Sequence, residues 1–92
     1  MKIIILIPIY NDRESLTKLI ENINSEIEGI NSEISVVVIN DASSQQIIDE
    51  YQNTENINSI KIINMKENRG HARCIASGLK YIFEKKEFDY VI

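Results

Sequence analysis

The sequence of 92 residues predicts an α/β fold in which a parallel sheet carries helices on its faces. Two observations support this prediction. Short apolar runs typical of buried strands alternate with segments whose apolar residues recur at helical spacing. The resulting element order is β-α-β-α-β-α-β, and strands joined by helices form parallel sheets with right-handed crossovers. A chain of this length forms one small domain rather than two.

Four segments are predicted strands. The first spans residues 3–7, an uninterrupted run of isoleucine and leucine that Pro8 ends, and the second spans residues 34–39 around three consecutive valines. Runs that are apolar throughout indicate strands buried on both faces. A third, shorter strand is predicted at 60–64, and a fourth begins within 88–92. Because the sequence ends inside that strand, we expect the chain to be a truncated part of a longer domain.

The first helix is predicted over residues 12–28. Asn11 and Glu14 have the spacing of a capping box, with Asn11 as the N-cap and Glu14 reaching back to it. Apolar residues follow at helical spacing, and Gly29 suits the end of the helix. This amphipathic helix is expected to pack on the sheet.

Two further helices complete the pattern. A short helix is predicted through Ile47, Ile48 and Tyr51, after a loop whose serine hydroxyls can cap it. A third helix is predicted near residues 71–86, and Cys74 lies on its apolar stripe as a core residue.

Composition and charge exclude several classes of function. The formal net charge is -4, whereas sequence-independent nucleic-acid binding needs clustered Lys and Arg, so no nucleic-acid partner is predicted. No apolar run approaches the length of a membrane span. Cys74 is the sole cysteine, which excludes an internal disulfide and is compatible with a reducing, cytoplasmic location.

Polar residues follow three of the predicted strands. Residues 8–11, 40–43 and 68–70 each lie at a strand's carboxyl end. Ligands of open parallel sheets bind in the crevice beyond these ends, so one pocket is expected to gather the three segments.

The same three segments together resemble the family 2 glycosyltransferases. Residues 7–11, Ile-Pro-Ile-Tyr-Asn, are similar to the Pro-x-Tyr-Asn that closes the family's first strand. Residues 37–43 are similar to its Val-Asp-Asp-Gly-Ser, although Asn40 replaces the first Asp and Ala42 replaces the Gly. Residues 68–79 resemble its Asn-x-Gly loop and following helix, particularly in members that use polyprenyl-phosphate acceptors.

The resemblance implies a three-layer, Rossmann-like domain with strand order 3-2-1-4, of which residues 1–92 are the incomplete, N-terminal nucleotide-binding part. It implies an enzyme that moves a sugar from a nucleotide diphosphate sugar to an acceptor. For the parent protein, a membrane-associated acceptor at the cytoplasmic face is compatible with this reading. Mg²⁺ or Mn²⁺ is implied on an Asp-x-Asp motif beyond Ile92. The 92 residues thus supply no catalytic residue and no metal ligand, and alone are expected to be inactive.

Eight residues are predicted to bind the nucleotide sugar. Tyr10 offers a flat face to a base, the Asp41 carboxylate can accept hydrogen bonds from base or ribose, and the forked donors of arginine suit a diphosphate. Each has a structural alternative, which is a rim aromatic for Tyr10, a turn or helix cap for Asp41 and solvated surface for the arginines. The full set is Pro8, Tyr10, Asn11, Asp41, Asn68, Arg69, Gly70 and Arg73.

Other readings of the chain stay open. A non-catalytic nucleotide-binding or regulatory domain is the main alternative, and an interaction module that pairs through its sheet edge is another. His71, the only histidine, lies near a predicted helix start and is taken as structural. An uncovered apolar edge at the fourth strand predicts a homodimer through that strand or the surface beside it.

Overall fold

The computed structural model describes residues 1–42, 51, 54–68, 70–85 and 87–92. Within these residues the chain forms a four-stranded sheet and two helices. The elements are β1 (Lys2–Ile9), α1 (Arg13–Glu26), β2 (Glu33–Asn40), β3 (Ser59–Asn64), α2 (His71–Lys85) and β4 (Tyr90–Val91). Ile47 and Ile48 of the predicted short helix lie outside the described residues.

The sheet is parallel throughout, with the strand order β3-β2-β1-β4. The predicted order 3-2-1-4 is therefore confirmed. Ile9 of β1 pairs with Asn40 of β2, which in turn pairs with Asn64 of β3. Because these residues end their strands, the carboxyl ends of β1, β2 and β3 are level along one edge of the sheet.

The two helices cover opposite faces of the sheet, which confirms the three-layer architecture. Leu16 and Ile20 of α1 share a hydrophobic cluster with Val36 and Val38 of β2. On the other face, Cys74 and Ile82 of α2 pack in a cluster that includes Val37 and Ile39. Successive side chains of a strand point to opposite faces, and a helix covers each face here. Both faces of β2 are therefore buried, which explains its unbroken apolar run over residues 36–39.

The start of α1 differs from the prediction. The N-cap is Asp12, whose side chain accepts a hydrogen bond of 3.4 Å from the Ser15 N–H, so the predicted capping box with Asn11 as N-cap is wrong. Asn11 instead has a φ of 50°, in the left-handed region that asparagine tolerates better than most residues. This conformation turns the chain from β1 into α1 and leaves the cap to the next residue.

The end of the chain forms a short strand that lies beside β1. The regular strand covers Tyr90–Val91 rather than residues 88–92, but the hydrogen bonds extend beyond it. The Asp89 N–H donates to the Lys2 carbonyl at 2.7 Å, and the Leu6 N–H donates to the Ile92 carbonyl at 2.9 Å. The fourth strand is therefore present in the predicted segment and pairs with the predicted neighbour.

Candidate functional site

Hydrogen bonds join the carboxyl ends of β1, β2 and β3. The Asp41 N–H donates to the Ile9 carbonyl at 2.8 Å, and the Asn40 side-chain amide donates to the Asn64 side-chain oxygen at 2.9 Å. The Met65 N–H also donates to the Asn40 carbonyl at 2.8 Å. The residues that follow β1, β2 and β3 are thus held at one edge, where parallel α/β sheets bind ligands.

A pocket of about 170 Å³ opens at the carboxyl end of β1. A cavity of roughly 150 Å³ is known to hold one benzene ring, so this pocket has the size to take one aromatic ring. Two of its residues, Pro8 and Tyr10, belong to the predicted binding set, and Tyr10 is 46% exposed. The lining residues are Ile7, Pro8, Ile9, Tyr10, Asp12, Ser15, Leu16, Leu19 and His71.

Asp41 lies behind the surface of this edge. It is 1% exposed, and its carboxylate accepts a hydrogen bond of 2.8 Å from the Gly70 N–H. The Asn68 side-chain amide lies 3.5 Å from the Asp41 carbonyl, to which it donates. The fold therefore brings together three predicted residues from two loops, and it gives Asp41 a partner at the start of α2.

The remaining predicted residues have different surroundings. Gly70 has a φ of 83°, and a β-carbon placed there would meet no atom within 4 Å, so the backbone conformation rather than space favours glycine. Arg73 is exposed in the first turn of α2, and Asn11 joins β1 to α1. Arg69 lies outside the described residues.

Cys74 is buried beneath this edge. Burial raises the pKa of its thiol from 9.0 to about 11, and a hydrogen bond to Asp41 and the negative charge of that carboxylate act in the same direction. The thiol therefore stays protonated at neutral pH and cannot act as a nucleophile. Its complete burial confirms the prediction that it is a core residue.

Three polar residues of the pocket, Asp12, Ser15 and His71, were not in the predicted set. Asp12 faces the pocket because it caps α1 directly after the β1 loop. His71 is the first residue of α2, and the crossover from β3 to β4 brings it beside the end of β1. The position of His71 at this edge is predictable from the strand order alone. A helix that connects two parallel strands begins at the carboxyl edge of the sheet, where the first of those strands ends.

Another pocket, of about 280 Å³, lies at the amino ends of the strands. Lysine and glutamate side chains both line it, and one such pair, Lys2 and Glu87, forms an exposed ion pair at 3.3 Å. Its mixture of charges favours no anionic ligand. Its distance from the predicted residues makes it a useful comparison in binding experiments.

The described part of the chain has neither a cluster of metal-ligating side chains nor a membrane-spanning helix. Within it, no three His, Cys, Asp or Glu side chains come together in a way that would hold a metal ion. The described residues therefore do not by themselves fit Mg²⁺ or Mn²⁺. Neither α1 nor α2 has the length and apolar character needed to cross a membrane.

Comparison with known proteins identifies the family. No curated protein matches the sequence. The model of the family described as glycosyl transferase family 2 matches residues 4–92, from the third residue of β1 past the end of β4. The match includes both the pocket at the end of β1 and the junction of Asp41 with α2. The chain therefore belongs to glycosyl transferase family 2.

Proposed function

We propose that this chain is the donor-binding part of a glycosyltransferase that moves a sugar from a nucleotide diphosphate sugar to an acceptor. The observation that carries the proposal is the pocket at the carboxyl end of β1, which lies within the region matched to the family. Its size suits one aromatic ring, and Tyr10 supplies a half-exposed aromatic face beside it.

The neighbouring groups suit the rest of such a donor. Gly70 and Arg73 lie at the start of α2, where backbone N–H groups and the helix dipole favour an anion such as a diphosphate. The charged fork of Arg73 is exposed and can approach phosphate oxygens. In this proposal Pro8 and Asn11 shape the loop beneath the base, and Asn68 shapes the loop before α2. Arg69 binds the diphosphate.

A titration monitored by NMR tests the proposal. We expect UDP or GDP to shift the amide resonances of Tyr10, Gly70 and His71. Tyr10→Ala should weaken binding on the order of tenfold, since aromatic stacking on a base contributes roughly 1–3 kcal/mol. Lys61→Ala, in the pocket at the amino ends, is the matched control and should bind as the wild type does. Shifts confined to Lys2, Ser59 and Lys61 would contradict the proposed site.

We further propose that the 92 residues alone do not transfer sugar. They contain no two aspartates at Asp-x-Asp spacing, and the divalent cation of the parent enzyme is assigned to residues outside this chain. Sugar transfer by the purified chain in the presence of Mg²⁺ or Mn²⁺ would refute this part of the proposal.

The acceptor and location are proposed from sequence resemblance. Residues 68–79 resemble family members that use polyprenyl-phosphate acceptors, so we propose a lipid-linked acceptor and a parent enzyme at the cytoplasmic face of a membrane. Transfer by the parent enzyme to a polyprenyl phosphate, but not to a soluble sugar acceptor, is the expected result.

A further inference from the structure

The pocket at the carboxyl end of β1 has an apolar floor that belongs to the core. Ile9 and Leu16 line the pocket, and they are 5% and 2% exposed as members of the hydrophobic cluster between the sheet and α1. Core side chains are closely packed, and forcing them apart to admit a larger group costs free energy. The depth of the pocket is therefore set by the core rather than by its ligand.

One side of the pocket is formed by Leu19 of α1. Leu19 lies three residues after Leu16, so the two side chains are neighbours on the surface of the helix. Leu16 is buried, whereas Leu19 is 41% exposed, so this side of the pocket extends from the core to the solvent. Tyr10, which is 46% exposed, also lines the pocket. A flat ring bound there would contact both exposed side chains, as apolar and aromatic residues do in ligand pockets.

The volume of the pocket, about 170 Å³, distinguishes a single ring from a fused pair of rings. A cavity of roughly 150 Å³ holds one benzene ring. A pyrimidine base is one such ring with small polar substituents, whereas a purine base carries a second, fused ring. One ring of a purine would fill the pocket, and the other would press against its wall or stay in solvent.

We propose that this pocket selects a pyrimidine base of the donor over a purine, and that Leu19 is a specificity-determining residue because it forms the wall that a second ring would meet. This inference rests on the proposed function, since it takes the pocket as the site of the base. Asp41 does not line the pocket, so its predicted contact with the nucleoside does not depend on the size of the ring.

The experiment compares four nucleoside diphosphates on three forms of the chain. UDP, CDP, ADP and GDP are titrated by calorimetry into the wild type, Leu19→Ala and Leu79→Ala. Leu79→Ala is the matched control, because it removes the same atoms from a partly buried leucine of α2 that does not line the pocket. The four ligands share one ribose and one diphosphate, so differences in their affinities report on the base alone.

We expect both pyrimidine diphosphates to bind the wild type more tightly than both purine diphosphates, by about tenfold or more, because a group that an apolar pocket cannot hold costs that much affinity. Leu19→Ala enlarges the pocket, so the preference for pyrimidines should fall severalfold, chiefly through tighter binding of ADP and GDP. Leu79→Ala should keep the preference of the wild type.

Two results would overturn the inference and leave the proposed function standing. One is a wild type that binds the purine diphosphates as tightly as the pyrimidine diphosphates. The other is a Leu19→Ala variant that is folded by thermal denaturation and keeps the full preference of the wild type. If Leu19→Ala does not fold, the order of the four affinities on the wild type decides. If the wild type binds none of the four ligands, the proposed function fails and the inference fails with it.

Discussion

Two side chains at the carboxyl edge of the sheet, those of Tyr10 and Asp41, differ in how accessible they are to a ligand. Tyr10 presents nearly half of its surface to solvent, while Asp41 is 1% exposed and its carboxylate accepts a hydrogen bond from the Gly70 N–H. Stacking on a base needs an accessible ring, and Tyr10 meets that condition. Tyr10 is therefore the residue of this edge on which the proposed function is tested most directly.

The buried thiol beside Asp41 predicts a change of stability with pH. The folded chain holds the pKa of Cys74 at about 11, above the ordinary value of 9.0, so folding favours the protonated thiol. This contribution is fully present below pH 9.0 and is lost as the pH rises toward 11. Urea denaturation should show a loss of roughly 1 kcal/mol per pH unit at most in that range.

The variant Cys74→Ala separates this effect from other titrations in the same range. Every other titratable group is the same in both proteins, so the difference between the two stability curves isolates the thiol. The gap between wild type and variant should narrow as the pH rises through that range. A constant gap would show that Cys74 does not gain its high pKa on folding.

Two glycines with nearly equal backbone angles provide a controlled test of the loop before α2. Gly29 and Gly70 have φ of 81° and 83°, and neither has an atom within 4 Å of the place where a β-carbon would lie. Replacing either glycine by alanine should lower the free energy of unfolding by roughly 1–2 kcal/mol, which is the cost of a left-handed conformation for residues other than glycine. Thermal denaturation measures both losses.

Only the Gly70→Ala variant should also weaken UDP binding, because Gly29 lies in the turn after α1. Equal effects of the two substitutions on affinity, measured at a temperature where both variants are folded, would contradict a role for the Gly70 loop in binding.

The sequence predicted where these residues lie but not how they are buried. Residues 8–11, 40–43 and 68–70 follow strands, and that fact placed them at one edge. The burial of Asp41 depends on α2, whose sequence starts thirty residues further along, and no local pattern records that contact. The N-cap was misassigned because Asn11 and Asp12 are neighbours with similar capping ability, and only the backbone angle of Asn11 distinguishes them.

At the scale of elements, α2 lies unusually close to the sheet at Gly78. A β-carbon on Gly78 would lie 2.5 Å from Leu6 Cδ1 and 3.0 Å from Ile39 Cγ1. Contacts this short force side chains or backbone to move. The absence of a side chain at Gly78 therefore sets the distance between helix and strands, and so the position of the helix start.

We expect Gly78→Ala to destabilise the fold despite the better helix propensity of alanine. Overpacking costs about 1–3 kcal/mol, while the propensity gain is about 1 kcal/mol. The double variant with Leu6→Ala should be less destabilised than the sum of the two single variants, because the clashing methyl groups are gone. Urea denaturation measures all three, and simple additivity would show that Leu6 does not limit the approach of α2.

Helices and strands could be told apart in the sequence because apolar residues recur with a different period in each. Apolar runs fit the strands, and helical spacing fit α1 and α2. The prediction that Pro8 ends the first strand is wrong, because Pro8 pairs with Ile39 and β1 continues to Ile9. Boundaries were less accurate, since strand ends depend on which backbone groups find a partner. The regular part of β4 is shorter than the apolar segment that predicts it because only Tyr90 and Val91 pair in regular register with β1.

For the whole molecule, apolar side chains concentrate near β4. Tyr90 is 58% exposed, Ile92 is 75% exposed and Phe83 is 70% exposed, and β4 is the outermost described strand on its side of the sheet. Phe83 packs edge-on against Phe88 at 5.2 Å between ring centroids, which extends the apolar surface from α2 toward the strand. Exposed apolar surface next to a strand edge favours association.

We propose that the chain forms a dimer through β4 or the surface beside it. Sedimentation velocity over a dilution series should show a concentration-dependent monomer–dimer equilibrium. Ile92→Lys should shift it to monomer by roughly tenfold or more in dissociation constant, because a buried charge without a partner is costly. Ile30→Lys is the control, since Ile30 is 51% exposed in the turn after α1. A monomer at every concentration would refute the dimer.

The central position of β1 has a consequence for the order in which the chain can fold as it is made. β1 is made before the other described strands, yet one of its two neighbours is β4, and the hydrogen-bonded residues Lys2 and Asp89 are 87 positions apart. While a ribosome is still making the chain, β1 can pair with β2 but its other edge has to wait for residues 89–92. Pairing over such sequence distances is slow, so the middle of the sheet should stay unfinished and open to chaperones until residues 89–92 have been made.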